Sequence, residues 1–233
     1  MKLAMAYEWQ RVRSLRSTWV LLALSAILTF ASGLYWGAKT DIGDLDRFSS
    51  SLAVTVKLGV LLIASVGVCA FSLDYQHGTI TTTRLVVRFP ARIVAAKAAV
   101  VGALSAAAGV AMVVSTWGGI LAGGARLPDD VGHVVGSALA LVLLATLSGL
   151  VGVGLGGLVR NTGVAVGVFA VWVLLAETLL ASLANVPPGR LPFNGTQALL
   201  HSGPPGWPGA VGFVVLAVVV LGGVQVALAR RDS

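Results

Sequence analysis

Apolar residues along this chain come in long unbroken runs, not in the short periodic clusters of a water-soluble fold. Six runs stand out, at roughly Thr18–Ala38, Ala53–Leu73, Ala98–Gly123, His133–Val159, Gly163–Leu183 and Gly209–Ala229. About 20 apolar residues in a helix cross a bilayer, so each run is long enough to span. The third and fourth exceed that length and are expected to tilt or to extend past the lipid. Only Arg160, Asn161 and Thr162 separate the fourth run from the fifth, which predicts a tight antiparallel hairpin. The first run is longer than the roughly 7–15-residue core of a cleavable signal peptide, and no small-x-small cleavage site follows it. It is read as a membrane anchor. The pattern predicts an all-α integral membrane protein of six transmembrane helices, a single transmembrane domain over residues 1–233.

The segments between the runs have characters of their own. In residues 1–17, Met5, Trp9, Val12 and Leu15 recur at helical spacing, with Arg11, Arg13 and Ser14 off that stripe. This predicts an amphipathic helix in the membrane interface, with Glu8 and Arg16 at the edges of the stripe. Residues 74–97 form the longest loop on the side of the termini. Residues 185–208 hold six of the eight prolines. Between them Asn194-Gly195-Thr196-Gln197 has the form of a helix cap leading into Ala198-Leu199-Leu200. A short outer re-entrant helix is expected there, backed by protein or water, since irregular chain is not tolerated against lipid.

Composition sharpens the membrane reading. Of 233 residues, 57% are hydrophobic and 11% charged, against about 25% charged in a soluble domain. No soluble part is large enough to hold an active site, so no enzyme activity is expected. The one cysteine, Cys69, sits in an apolar run, and His77, His133 and His201 are far apart, so neither a disulfide nor a metal site is expected. The net charge of +7 is distributed by topology. With the N-terminus inside, eleven of the sixteen basic residues fall on inner segments, and Lys39, Arg47, Lys57, Arg126 and Arg190 fall outside. This asymmetry places both termini in the cytoplasm, in a multi-pass protein of the cell inner (cytoplasmic) membrane. The positive charge then meets anionic lipid headgroups, and no nucleic acid.

Two catalytic-looking strings fail on context. Gly152-Val153-Gly154-Leu155-Gly156-Gly157 fits the dinucleotide pattern, but it ends an apolar helix instead of following a strand. Gly37-Ala38-Lys39-Thr40 lacks the glycine that a phosphate-binding loop needs before its lysine. No cofactor is expected. Gly152 and Gly156, with Gly163 and Gly167 across the turn, have the spacing that lets helix backbones approach, as do Gly33 and Gly37, and Gly119 and Gly123. Asn194-Gly195-Thr196 is a glycosylation triplet of the kind that arises by chance. Glu177 is the one acid inside a run. Three roles fit it: part of a transport pathway, a polar contact to a neighbouring helix, or a side chain reaching interfacial water.

The loop after the second run carries the most information. Gly78 permits a sharp turn, Thr79 can cap a short helix, and Pro90 suits the first turn of the helix that becomes the third span. Ile80, Leu85 and Val86 are its apolar contact candidates; Arg84, Arg88 and Arg92 are candidates for a charged rim or a lipid anchor. The order acid, Gly-Thr, Leu, Pro, Arg, Lys, carried here by Asp74, Gly78, Thr79, Leu85, Pro90, Arg92 and Lys97, resembles the cytoplasmic loop of ABC-2 type transporter permeases. Glu8, Arg11 and Trp19 resemble that family's amphipathic leader. Glu177-Thr178-Leu179-Leu180, followed by Pro187, Leu191-Pro192 and Ala198-Leu199-Leu200, resembles its fifth span and outer re-entrant segment. The stretch from Gly-Thr to Pro is a residue or two longer than the family pattern.

The resemblance implies the membrane half of an ATP-driven exporter. A dimer of permease subunits, identical or paralogous, would form the pathway. Separate ATP-binding subunits would hold the ATP and dock on a cytoplasmic coupling helix between spans two and three. Two rival readings are a proton-coupled secondary transporter using Glu177 and a non-transporting membrane scaffold.

Overall fold

A computed structural model describes residues 2–39, 45–76, 78, 90–126, 130–200 and 207–230. Among the described residues every regular element is helical. The helices are α1 (Lys2–Ser14), α2 (Arg16–Lys39), α3 (Leu45–Gln76), α4 (Pro90–Ala122), α5 (Val131–Val159), α6 (Thr162–Val171), α7 (Glu177–Leu183), α8 (Pro192–Ala198) and α9 (Trp207–Ala229). A π-turn, Trp172–Ala176, joins α6 to α7 without a break, and a 3-10 turn, Pro188–Arg190, precedes α8. Six of these stretches are long and apolar enough to cross a membrane: Arg16–Lys39, Thr55–Gln76, Ala91–Ala122, Val131–Val159, Thr162–Leu183 and Trp207–Ala229. The protein is an all-helical, multi-pass membrane protein.

Helix ends follow local chemistry. Asp130 accepts a hydrogen bond from the His133 N–H and so starts α5; Asn161 accepts one from Val164 and starts α6. Arg160, between α5 and α6, adopts a left-handed φ of 60° and closes α5 through its N–H to the Gly156 carbonyl. The predicted hairpin is therefore made by two residues, Arg160 and Asn161. Two boundaries differ from the hydropathy reading. Helix α3 begins at Leu45, within the expected outer loop, and α4 begins at Pro90, eight residues before the third apolar run. Hydropathy ends a run at the first charges. A helix continues as long as its backbone bonds do and its charges find partners or water.

Helices α3, α4 and α5 form the centre, with α2, α6–α7 and α9 outside them. Val60, Ile63, Met112, Leu144, Phe169 and Phe213 are fully buried at its core. The outer helices invert the order of a soluble helix. Helix α2 turns Ser25, Thr29, Gly33 and Gly37 inward and leaves Val20, Ile27, Phe30 and Tyr35 exposed. Lipid explains this: burying large apolar groups against protein gains little over leaving them in hydrocarbon, whereas small residues allow backbones to touch. A Cβ on Gly37 would lie 2.6 Å from the Ile120 carbonyl oxygen, and one on Gly123 only 2.7 Å from the Gly37 carbonyl carbon, so α2 and α4 meet backbone to backbone. Gly152 and Gly156 of α5 lie in the same way against the carbonyls of Ala64 and Val68 on α3. Among the described residues Gly163 and Gly167 have no such neighbour: the nearest atom to a Cβ on Gly163 is the Asn161 side chain at 3.6 Å, and none lies within 4 Å of a Cβ on Gly167. Buried hydroxyls at Thr29, Ser72 and Thr116 donate to carbonyls one turn back, which makes them compatible with an apolar interior.

Candidate functional site

At the end of the bundle that carries α1, four charged side chains from three helices meet in one cluster. Glu8 lies on α1, Asp74 in the last turn of α3, and Lys97 two turns into α4. Arg11, also on α1, completes it. Lys97 is fully buried, and Glu8 and Asp74 are 4% and 3% exposed. The Lys97 ammonium donates to Glu8 Oε1 at 2.7 Å, to Asp74 Oδ2 at 2.7 Å and to the Ala70 carbonyl at 2.9 Å. All three of its N–H groups are thereby used. The Phe71 ring, with its centroid 5.0 Å from Nζ, walls off a further side. Arg11 grips Asp74 with both ends of its guanidinium, Nη2 to Oδ1 at 2.7 Å and Nη1 to Oδ2 at 2.9 Å. Arg11 Nη1 also reaches the Ala70 carbonyl at 3.2 Å and Glu8 Oε2 at 3.4 Å.

Two acids balance two bases, so the cluster enters the apolar bundle with no net charge. An isolated buried ion costs several kcal/mol in desolvation, and pairing with good geometry offsets much of that. The forked Arg11–Asp74 contact is the strongest type of pair available. This explains why α4 runs without a break through Lys97, which the sequence reading assigns to a loop. The cluster also sets the pose of α1. The buried face of α1 centres on Glu8 and Val12; of the expected apolar stripe Val12 faces inward, while Met5 and Trp9 are exposed. An internal charge partner outweighs the apolar stripe as the docking face. The Trp19 indole N–H donates to the Arg13 carbonyl at 3.1 Å and ties α2 back to α1.

The cluster brackets the predicted coupling segment. Asp74 lies in the last turn of one flanking helix and Lys97 two turns into the other, so α3 and α4 take in both ends of the expected loop over 74–97. Of the coupling candidates, Thr79, Ile80, Leu85, Val86 and Arg88 lie outside the described residues. Gly78 has a φ of +68°, in the left-handed region that glycine favours, with its N–H toward the Tyr75 carbonyl. Pro90 is the first residue of α4, where a proline loses no helical hydrogen bond, and Arg92 is exposed on the first turn. Beside the cluster, the Arg160 guanidinium lies 5.0 Å from the Tyr75 ring centroid, and Ser72 and Thr162 share a hydrogen bond of 2.7 Å. The α5–α6 hairpin is thus fastened to the same end of α3.

At the opposite end, Glu177 is fully buried and its carboxylate accepts two backbone N–H groups, those of Phe193 at 2.9 Å and Asn194 at 2.7 Å. Of the three roles open in the sequence, the one the geometry displays is the polar contact. Helix α8 begins at Pro192, two residues before the expected Asn194 cap, because Glu177 supplies the cap from another helix.

Glu8, Arg11, Asp74 and Lys97 stand at separate points of the sequence, and no local pattern joins them as one set. The available signal was chemical: opposite charges at the same depth, at the ends of consecutive apolar runs, each in need of a partner. Compared with known proteins, the chain matches no protein-family model and no curated protein.

Proposed function

We propose that this chain is a permease subunit of an ATP-driven exporter of the ABC-2 type. Two such subunits, identical or paralogous, form the translocation pathway, with both termini in the cytoplasm of a cell whose inner membrane they span. Separate ATP-binding subunits dock beneath them on the segment at residues 78–92. The few charges along the spans suit lipophilic drugs, peptides or lipids better than ions.

One observation carries this reading: the charge cluster at the root of the segment. Energy from a partner has to enter through a small contact, and a lever works only if its root does not bend. Asp74 and Lys97 flank residues 77–89 and are bonded to each other, to Glu8 and to Arg11. A push on the segment therefore moves α3, α4 and α1 together and is not lost in local flexing. Glu177, on which a proton-coupled mechanism would depend, has both oxygens engaged by backbone N–H groups. That favours the exporter over the secondary transporter.

The test is retention on a tagged permease of a P-loop ATPase co-purified from the native cells, with ATP hydrolysis read in parallel. Leu85→Asp puts an uncompensated charge into the contact. Gly78→Val forces a β-branched residue into a left-handed φ. Either should lower retention or coupling at least tenfold, while the permease is still inserted and elutes as one species. Full retention and full coupling in both variants would return the scaffold and secondary-transporter readings.

A further inference from the structure

The side chains of Ala165, Phe169, Val173 and Glu177 are all fully buried, at a strict spacing of four. A regular α-helix turns about 100° per residue, so over this span Glu177 would sit about 120° away from Ala165. The π-turn at Trp172–Ala176 removes that drift. The Glu177 N–H bonds the Trp172 carbonyl five residues back, and the extra residue in the turn returns Glu177 to the inward face. π-turns are rare and occur mostly as single turns inside α-helices, frequently at functional sites.

What Glu177 reaches is the start of α8. Leu191 precedes that helix and has no side-chain acceptor to cap it, and Pro192 has no N–H to offer. The next two N–H groups, those of Phe193 and Asn194, are the two that Glu177 takes. The seat is tight elsewhere too. A Cβ on Gly195 would lie 2.6 Å from Gly209 Cα on α9, and Phe193 and Thr196 are fully buried. The Phe193, Phe213 and Trp172 rings stack edge to face from α8 through α9 to the π-turn, with centroids 6.0 and 5.6 Å apart.

We infer that Glu177 is a positioning residue that pins α8 into the end of the bundle away from α1, joining α6–α7, α8 and α9 into one closed unit. This rests on the membrane fold and not on the exporter reading. It also separates Glu177 from proton transport, because the carboxylate works as a fixed acceptor.

The experiment uses Thr196→Cys in a Cys69→Ser background, with Ser105→Cys as a second buried reporter on α4. Purified protein in detergent is reacted with N-ethylmaleimide. Thr196→Cys should react slowly with Glu177 present and at least tenfold faster with Glu177→Ala. Glu177→Gln should also accelerate it, since the amide keeps one acceptor oxygen and turns an N–H donor toward the other backbone N–H; Glu177→Asp, which keeps a carboxylate, should preserve most of the protection. Ser105→Cys should be unaffected throughout. Should Glu177→Ala loosen the whole fold and expose both reporters, Glu177→Gln decides. Acceleration at Thr196→Cys alone supports the pin. Unchanged rates at Thr196→Cys, or equal acceleration at both reporters in Glu177→Gln, overturn it.

Discussion

Lys97 shows what one residue can do to a helix in this environment. Its ammonium meets two carboxylates and a carbonyl within 2.9 Å, and the apolar sequence around it continues as α4. Removing it leaves Glu8 and Asp74 facing a single guanidinium in a buried site. Breaking a buried pair by deleting one partner costs roughly 3–5 kcal/mol, mostly through the charge left behind. Lys97→Met should therefore lower the detergent melting temperature strongly, and adding Glu8→Gln should recover part of the loss, because the excess negative charge goes with it. Arg11→Ala should cost less, since the Arg11 side chain is 17% exposed and water can replace it. Additive effects of Lys97→Met and Glu8→Gln would mean the two groups are not coupled. None of this network could be read from the sequence alone. Charge and run boundaries mark Glu8, Asp74 and Lys97 as residues in need of partners, but the pairing spans 89 residues and is set by how the helices pack.

At the scale of elements, the legible features were those whose cause is local. Six spans follow from hydropathy because lipid allows little else. The glycine spacing at 152 and 156 marks a backbone contact because a short period of small residues has few other uses in a membrane helix. The same spacing at 163 and 167 marks none among the described residues, since periodicity cannot say which face of a helix finds a neighbour. The two pairs make a matched test. Gly152→Leu has to displace the Ala64 carbonyl, and overpacking of this kind typically costs about 1–3 kcal/mol. Gly167→Leu meets open space and should leave the stability of the isolated subunit unchanged. Equal melting temperatures for both variants would remove Gly152 from any packing role. The start of α8 departs from its expected place for a different reason. Local capping rules look a few residues back, whereas its acceptor, Glu177, lies 16 residues before Phe193, across a turn and another helix.

For the whole molecule, the connectivity of six spans puts α1, the ends of α3, α5 and α9 and the starts of α4 and α6 on one side. The other side holds Arg126, Arg190 and α8. Which side faces the cytoplasm is decided during insertion by lysine and arginine near the short loops. Setting aside Arg11 and Lys97, which end in ion pairs, nine of the remaining fourteen basic residues still lie on the α1 side. The bias therefore does not depend on the charge cluster, and both termini are expected inside. Single cysteines in a Cys69→Ser background make this measurable. Arg126→Cys and Arg190→Cys alter exposed residues away from α1, and Ser14→Cys alters the exposed last residue of α1. In intact cells an impermeant maleimide should label the first two and spare the third until the membrane is permeabilised. Labelling of Ser14→Cys alone would invert the protein. It would also carry residues 78–92 to the face where no ATP-binding partner can reach them, so this measurement constrains the proposed function as directly as it does the orientation.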